Sequence, residues 1–299
     1  MRAIRHWLMA AALCLPVWAH AMTAIFYQPQ LRDMDVPVER WPAIFATARA
    51  QGADTLVIQW GRYGDVFDDN RGRAWLAARA RDADAAGLQL ILGLAADPDF
   101  FDRQLQPATV LATYFRRLST DDARVARWWR DELGDERITG WYLPAEIDDK
   151  RWRDDDARAA LGIYAHRVVA ALAQVAPRPV YVSSFFAGNM APARYADMLA
   201  GLSATGLRVW VQDGAGTAAL TPAERQIYLD AALTGQTLSA QGVVFELFRQ
   251  QSGEEGAFRA TPRSADEAAA LLRQRAPSGA DTVFFSLRYL PALGGALPY

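Results

Sequence analysis

The chain has 299 residues, with 32 basic and 34 acidic side chains, a net charge of −2, 1 Cys and 3 His. That near-neutral balance provides no bulk electrostatic pull toward nucleic acid, so a nucleic-acid partner is not expected. About 300 residues suffice to bury roughly 75% of the unfolded surface, so one full core is within reach.

The N-terminus reads as a removable signal peptide over residues 1–21. Arg2 and Arg5 form a basic start, Trp7 to Trp18 is mostly apolar, and Ala19-His20-Ala21 is a small-residue cleavage signal. We therefore expect export to the periplasm or the exterior, and a mature domain over residues 22–299. The apolar run is shorter than the ~20 residues that span a bilayer, and no later run is longer, so no membrane span is expected after cleavage. Cys14, His6 and His20 all leave with this segment, and only His166 remains. Disulfides, Cys nucleophiles, Cys-rich zinc sites and multi-His metal sites are thereby excluded, and neither a metal nor a cofactor is expected. His166 lies in the middle of a helical pattern, Tyr164-Ala165-His166-Arg167, which belongs to the outer ring of helices. That position does not suit a Ser-His-Asp triad.

From residue 22 onward, short β-rich apolar runs alternate with longer helical segments. Strands are predicted at Thr23–Tyr27, Thr55–Trp60, Leu88–Leu94, Ile138–Leu143, Val180–Phe185, Leu207–Val211, Val243–Phe248 and Thr282–Leu287. Helical patterns follow the first seven: Trp41 to Ala50, Trp75 to Ala85, two adjoining helices within Ala108 to Leu133, Ala157 to Val175, Ala193 to Leu202, and two that open at Thr221 and Ser264. The last two carry capping boxes, Thr221 with Glu224 and Ser264 with Glu267. Strand then helix, repeated about every 35 residues, predicts a parallel sheet with helical crossovers. Eight units match a single-domain (β/α)8 TIM barrel in the α/β class. An eighth helix is weak or absent.

In such a barrel the chemistry gathers at the C-terminal ends of the strands. Glu146 falls at or just past the end of the fourth, and Glu246 lies inside the apolar run of the seventh. A carboxylate in a buried run is costly unless it is paired or hydrogen-bonded. The structural alternatives are specific: Glu146 as a helix cap or Arg-paired loop acid, and Glu246 paired with Arg249 or Arg288. The chemical alternative is a carboxylate pair flanking a glycosidic bond, one proton donor and one nucleophile or base, with pKa values set apart by their environments. At the same rim we expect Gln28, Gln59, Asp213 and Tyr289 to hydrogen-bond sugar hydroxyls. Trp60, Tyr142 and Trp210 would offer flat faces to sugar rings, although a Trp in a strand more often belongs to the core. Asp97 or Asp213 would serve as the second acid of an inverting variant. Gly214-Ala215-Gly216 begins a G-x-G-x-x-A pattern, but no helix opens before Thr221, so an ordinary loop is expected rather than a nucleotide site.

The stretch Gly140-Trp141-Tyr142-Leu143-Pro144-Ala145-Glu146-Ile147 resembles the signature of an exported bacterial family of unknown function, whose members are taken as glycoside-hydrolase-like TIM barrels. Phe26-Tyr27-Gln28 and Val57-Ile58-Gln59-Trp60 resemble the same family. The resemblance implies that Glu146 is an active-site acid. Acids on strands four and seven also match the largest clan of retaining barrel glycosidases, in which the first is the proton donor and the second the nucleophile. That clan usually carries Asn just before the donor; here the residue is Ala145. The expectation is an exported glycoside hydrolase acting on a poly- or oligosaccharide through Glu146 and Glu246. The rival is a non-catalytic carbohydrate-binding barrel that assists polysaccharide-export machinery.

Overall fold

A computed structural model describes residues 21–234, 239–251, 259–277 and 279–298. The signal-peptide reading thus falls almost wholly outside the described residues. Eight parallel strands close into a barrel: β1 (Thr23–Tyr27), β2 (Thr55–Ile58), β3 (Gln89–Gly93), β4 (Ile138–Asp148), β5 (Val180–Phe185), β6 (Leu207–Gln212), β7 (Gly242–Glu246) and β8 (Asp281–Phe285). Each pairs with its neighbours in sequence, and β8 returns to β1 through the register Thr23↔Thr282. The crossovers are α1 (Trp41–Ala50), α2 (Asn70–Ala85), α3 (Ala108–Leu133), α4 (Asp155–Ala173), α5 (Pro192–Ser203), α6 (Pro222–Leu233) and α7 (Ala265–Leu272). The expected TIM barrel is therefore the observed fold.

Two details differ from the sequence expectation. Residues 108–133 form one helix of 26 residues rather than two. No Gly or Pro interrupts that span, so nothing breaks the i→i−4 ladder. After β8 the described chain makes only the short turns Leu287–Tyr289 and Pro291–Leu293, as the weak pattern there suggested. Both capping boxes form as read, with Thr221 Oγ1 accepting from Glu224 N–H and Ser264 Oγ from Glu267 N–H.

Side chains on a strand alternate between its two faces, and this alternation builds two cores. The outward set, such as Ile25, Tyr27, Leu56, Ile58, Trp141 and Leu143, packs under the helices. The inward set is Ala24, Phe26, Val57, Ile91, Tyr142, Tyr181, Trp210, Val244 and Val283. Phe26 meets Tyr142 edge-on at 5.0 Å, and Tyr181 stacks on Trp210 at 4.4 Å, so aromatic rings fill the barrel interior.

Strand β4 is the longest, with 11 residues. Its pairing with β5 slips in the middle: Leu143 faces Val182, yet Ile147 faces Ser184. The extra residues bulge around Pro144, which has no N–H to give to the ladder. Alternation nevertheless persists. Leu143, Ala145 and Ile147 stay in the outer core, which leaves Pro144 and Glu146 to face the barrel mouth.

Candidate active site

The inward positions one step above the aromatic layer form the mouth. Phe26 leads to Gln28, Val57 to Gln59, Tyr181 to Ser183, Trp210 to Gln212, Val244 to Glu246, Val283 to Phe285, and Tyr142 through Pro144 to Glu146. The upper members of these pairs line one cavity of about 740 Å³. Its side wall includes Phe248, on a two-stranded arm (Phe248–Gln250 with Ala260–Pro262) that continues past β7. A second cavity of about 500 Å³ adjoins it. The two share Gln28, Gln30, Gln59, Phe101 and Glu146.

Glu146 is half-buried, and among the described residues neither a cation nor a hydrogen-bond donor engages its carboxyl. Burial alone pushes it up to about 7. It is neither a helix cap nor the partner of an arginine, so both structural alternatives for it fail. A carboxyl poised near neutrality is suited to giving and taking a proton.

Glu246 is 1% exposed. Its Oε2 accepts the Gly216 N–H at 2.5 Å, and the Thr217 N–H supports it as well. Burial pushes its pKa up, the nearby Asp213 and Glu146 carboxyls push in the same direction, and the two backbone donors oppose them. Neither arginine proposed from the sequence reaches it. Arg249 pairs with Glu267, and Arg288 pairs with Asp33 at 2.8 Å. Among the described residues, Glu246 has no ion pair.

Gln28, Gln59, Tyr142 and Tyr289 stand in the wall of the larger cavity as expected. Tyr142 holds Ser183 through a 2.8 Å hydroxyl contact. Trp60 lines the smaller cavity, its indole N–H donating to the Pro29 carbonyl at 3.2 Å and its ring lying 4.8 Å from that of Tyr63. Two expectations need correction. Trp210 is fully buried in the aromatic layer below the mouth and donates to Asp281 Oδ2 at 3.1 Å, so its ring supports the floor and offers no face to a ligand. Asp213, just past β6, accepts from Ala215 N–H at 3.1 Å; its carboxyl acts on Glu246 electrostatically and lines neither cavity. Asp97 lines the smaller cavity, tied to Arg103 at 2.8 Å.

Gly216 is the residue that sequence reasoning missed. A Cβ there would come within 2.7 Å of Glu246 Oε2 and of the Phe248 ring. Only glycine lets the backbone N–H reach the carboxylate. The Gly-rich stretch after β6 was visible, but its partner 30 residues later was not.

Solved structures share this architecture. A candidate alpha-L-fucosidase from Bacteroides thetaiotaomicron superposes with a TM-score of 0.60 at 13% identity, covering 95% of this chain and 91% of that one. The catalytic domain of beta-amylase from Paenibacillus polymyxa gives 0.51 at 9% identity, covering 93% and 95%. These likenesses show the TIM-barrel fold. In sequence, the uncharacterized protein YbcH of Escherichia coli (strain K12) is 44% identical over 290 residues, 96% of each chain. Residues 22–293 match the family described as a domain of unknown function (DUF4434), and the chain belongs to that family.

Proposed function

We propose that this protein is an exported glycoside hydrolase that cleaves a polysaccharide, with Glu146 as acid/base and Glu246 as nucleophile. The observation that carries the reading is the pair itself: two carboxyls from β4 and β7, both turned inward at the C-terminal rim, share one cavity, and among the described residues neither is spent on an ion pair. Burial raises both carboxyls, Glu146 to about 7 and Glu246 to about 8. The backbone donors at Gly216 and Thr217 favour the ionised form of Glu246 and Glu146 has none, and the proposed mechanism takes the proton of the pair on Glu146.

In the first step a Glu246 oxygen bonds to the anomeric carbon. The glycosidic C–O bond breaks, and the Glu146 proton passes to the leaving oxygen. In the second step water gives a proton to Glu146 and its oxygen to the anomeric carbon, and the bond to Glu246 breaks. One water is consumed, and the anomeric configuration is retained. The glutamines of the wall, each with a donor and an acceptor, match the hydroxyls of a sugar ring.

One observation favours a second reading. Burial and Asp213 push Glu246 up, which suits a carboxyl kept neutral for hydrogen bonding, as in a carbohydrate-binding accessory of polysaccharide export. The test of both is a screen of purified bacterial polysaccharides with wild type, Glu146→Gln and Glu246→Gln. The hydrolase loses turnover in both variants and keeps binding, and proton NMR shows a retained anomer. A wild type that binds a polysaccharide, cleaves none, and is unaffected by Glu246→Gln establishes the accessory role instead.

A further inference from the structure

We propose that the two adjoining cavities are the two sides of the scissile bond: the larger holds the glycone, and the smaller is a leaving-group subsite for a ring with an apolar face. This deepens the hydrolase reading and rests on it. The argument is one of placement. Glu146 lines both cavities, whereas Glu246 lines only the larger. The anomeric carbon must sit against the nucleophile, and the glycosidic oxygen against the proton donor. The group that departs with that oxygen then lies on the far side of Glu146 from Glu246, in the smaller cavity.

The linings fit this division. Of the residues that line only the larger cavity, Ser183 and Gln212 are inward and polar, as the hydroxyls of a tightly held glycone require. The residues that face only the smaller cavity include Trp60, Tyr63, Leu31 and Pro144. Trp60 and Tyr63 form a tilted aromatic pair, with Tyr63 37% exposed and free to meet an incoming ring. The C–H face of a sugar ring, or an aryl group, packs on such a surface, while water reaches the departing hydroxyl.

The test compares two kinds of donor: 4-nitrophenyl glycosides, whose leaving ring fills the smaller cavity, and glycosyl fluorides, whose leaving group has no ring. Both are used as D-glucosides, D-galactosides, D-mannosides and N-acetyl-D-glucosaminides in each anomeric form. Tyr63→Ala is expected to lower kcat/KM on the nitrophenyl donor about 10-fold, an aromatic contact's worth. On the matching fluoride it stays within about 2-fold of wild type. Phe248→Ala, in the larger cavity, lowers both alike. Thermal unfolding of Tyr63→Ala checks that the fold is intact, and Trp60→Phe gives a second, milder probe of the same surface. Equal loss on both donors, or loss on neither, overturns the assignment while leaving the hydrolase reading in place. A wild type that cleaves no donor of either kind overturns this inference, and one that also cleaves none of the polysaccharides overturns the hydrolase reading with it.

Discussion

Gly216 and Glu246 meet across 30 positions of sequence, backbone N–H to Oε2 at 2.5 Å, at a point where any side chain on the glycine would occupy the carboxylate's place. Gly216→Ala is therefore expected to displace Glu246 or the loop. A drop of roughly 10- to 100-fold in kcat/KM and a loss of about 1–3 kcal/mol in stability follow from overpacking. Steady-state kinetics beside urea unfolding measures both, and wild-type values in each would show that the contact is dispensable.

In the proposed mechanism Asp213 helps to set the pH at which Glu246 becomes available. After burial, its carboxylate is the next largest influence holding Glu246 up. Asp213→Asn keeps an oxygen to accept the Ala215 and Glu246 N–H groups but removes the charge. Glu246 then ionises at lower pH, and the acid limb of the kcat/KM profile moves downward. An unmoved or upward-moving limb would separate Asp213 from the chemistry.

Glu146 carries a stability signature of its own. Its carboxyl is raised to about 7, so the folded chain keeps a proton that the unfolded chain releases near the ordinary carboxylate value. Stability therefore falls as pH rises from that value through about 7. Glu146→Gln lacks this fall, and the variant should exceed wild type by about 1–3 kcal/mol at pH 8 and match it at pH 4. Denaturant titrations at the two pH values decide the matter. An equal difference at both would remove the linkage.

Trp210 tests the division between floor and wall. Trp210→Phe leaves Asp281 without its indole donor and loosens the stack on Tyr181. We expect about 1–3 kcal/mol of destabilisation with ligand affinity unchanged. A loss of affinity without loss of stability would return Trp210 to the binding surface.

Asp33 anchors the first rim segment. It is wholly buried between the Tyr27 hydroxyl at 3.0 Å and the Arg288 guanidinium, and Arg288 also donates to the Gln28 carbonyl at 3.1 Å. Asp33→Ala strands a buried cation. It should cost about 3–5 kcal/mol, with weakened ligand binding because Gln28 stands on the same support. Thermal unfolding and affinity measured together would expose a merely peripheral role if either were unchanged.

Much of this was legible in sequence because both signals are periodic. The strand–helix rhythm placed all eight strands, seven of them to within two residues at each end, and the two-residue alternation puts Gln28, Gln59 and Glu246 on the same face as the apolar residues two positions before them. The same count places Trp210 inward, yet periodicity does not say at which height a ring stops being wall and becomes floor; Gln212 above it takes the wall. The sequence pattern ends strand β4 at Leu143, whereas a bulge around Pro144 carries pairing on to Asp148. Ion pairs were the least legible. Arg288 follows β8 beside the acids, but its partner is Asp33, 255 residues earlier, a relation that only barrel closure creates.

The aromatic layer has a topological consequence. With Phe26, Tyr142, Tyr181 and Trp210 plugging the barrel, there is no passage along its axis. No chain can be threaded through the molecule, and whatever enters the mouth leaves by the face it came in. A long polymer would have to lie across the rim like a rope over a bollard, and its two severed ends would drift off on the same side.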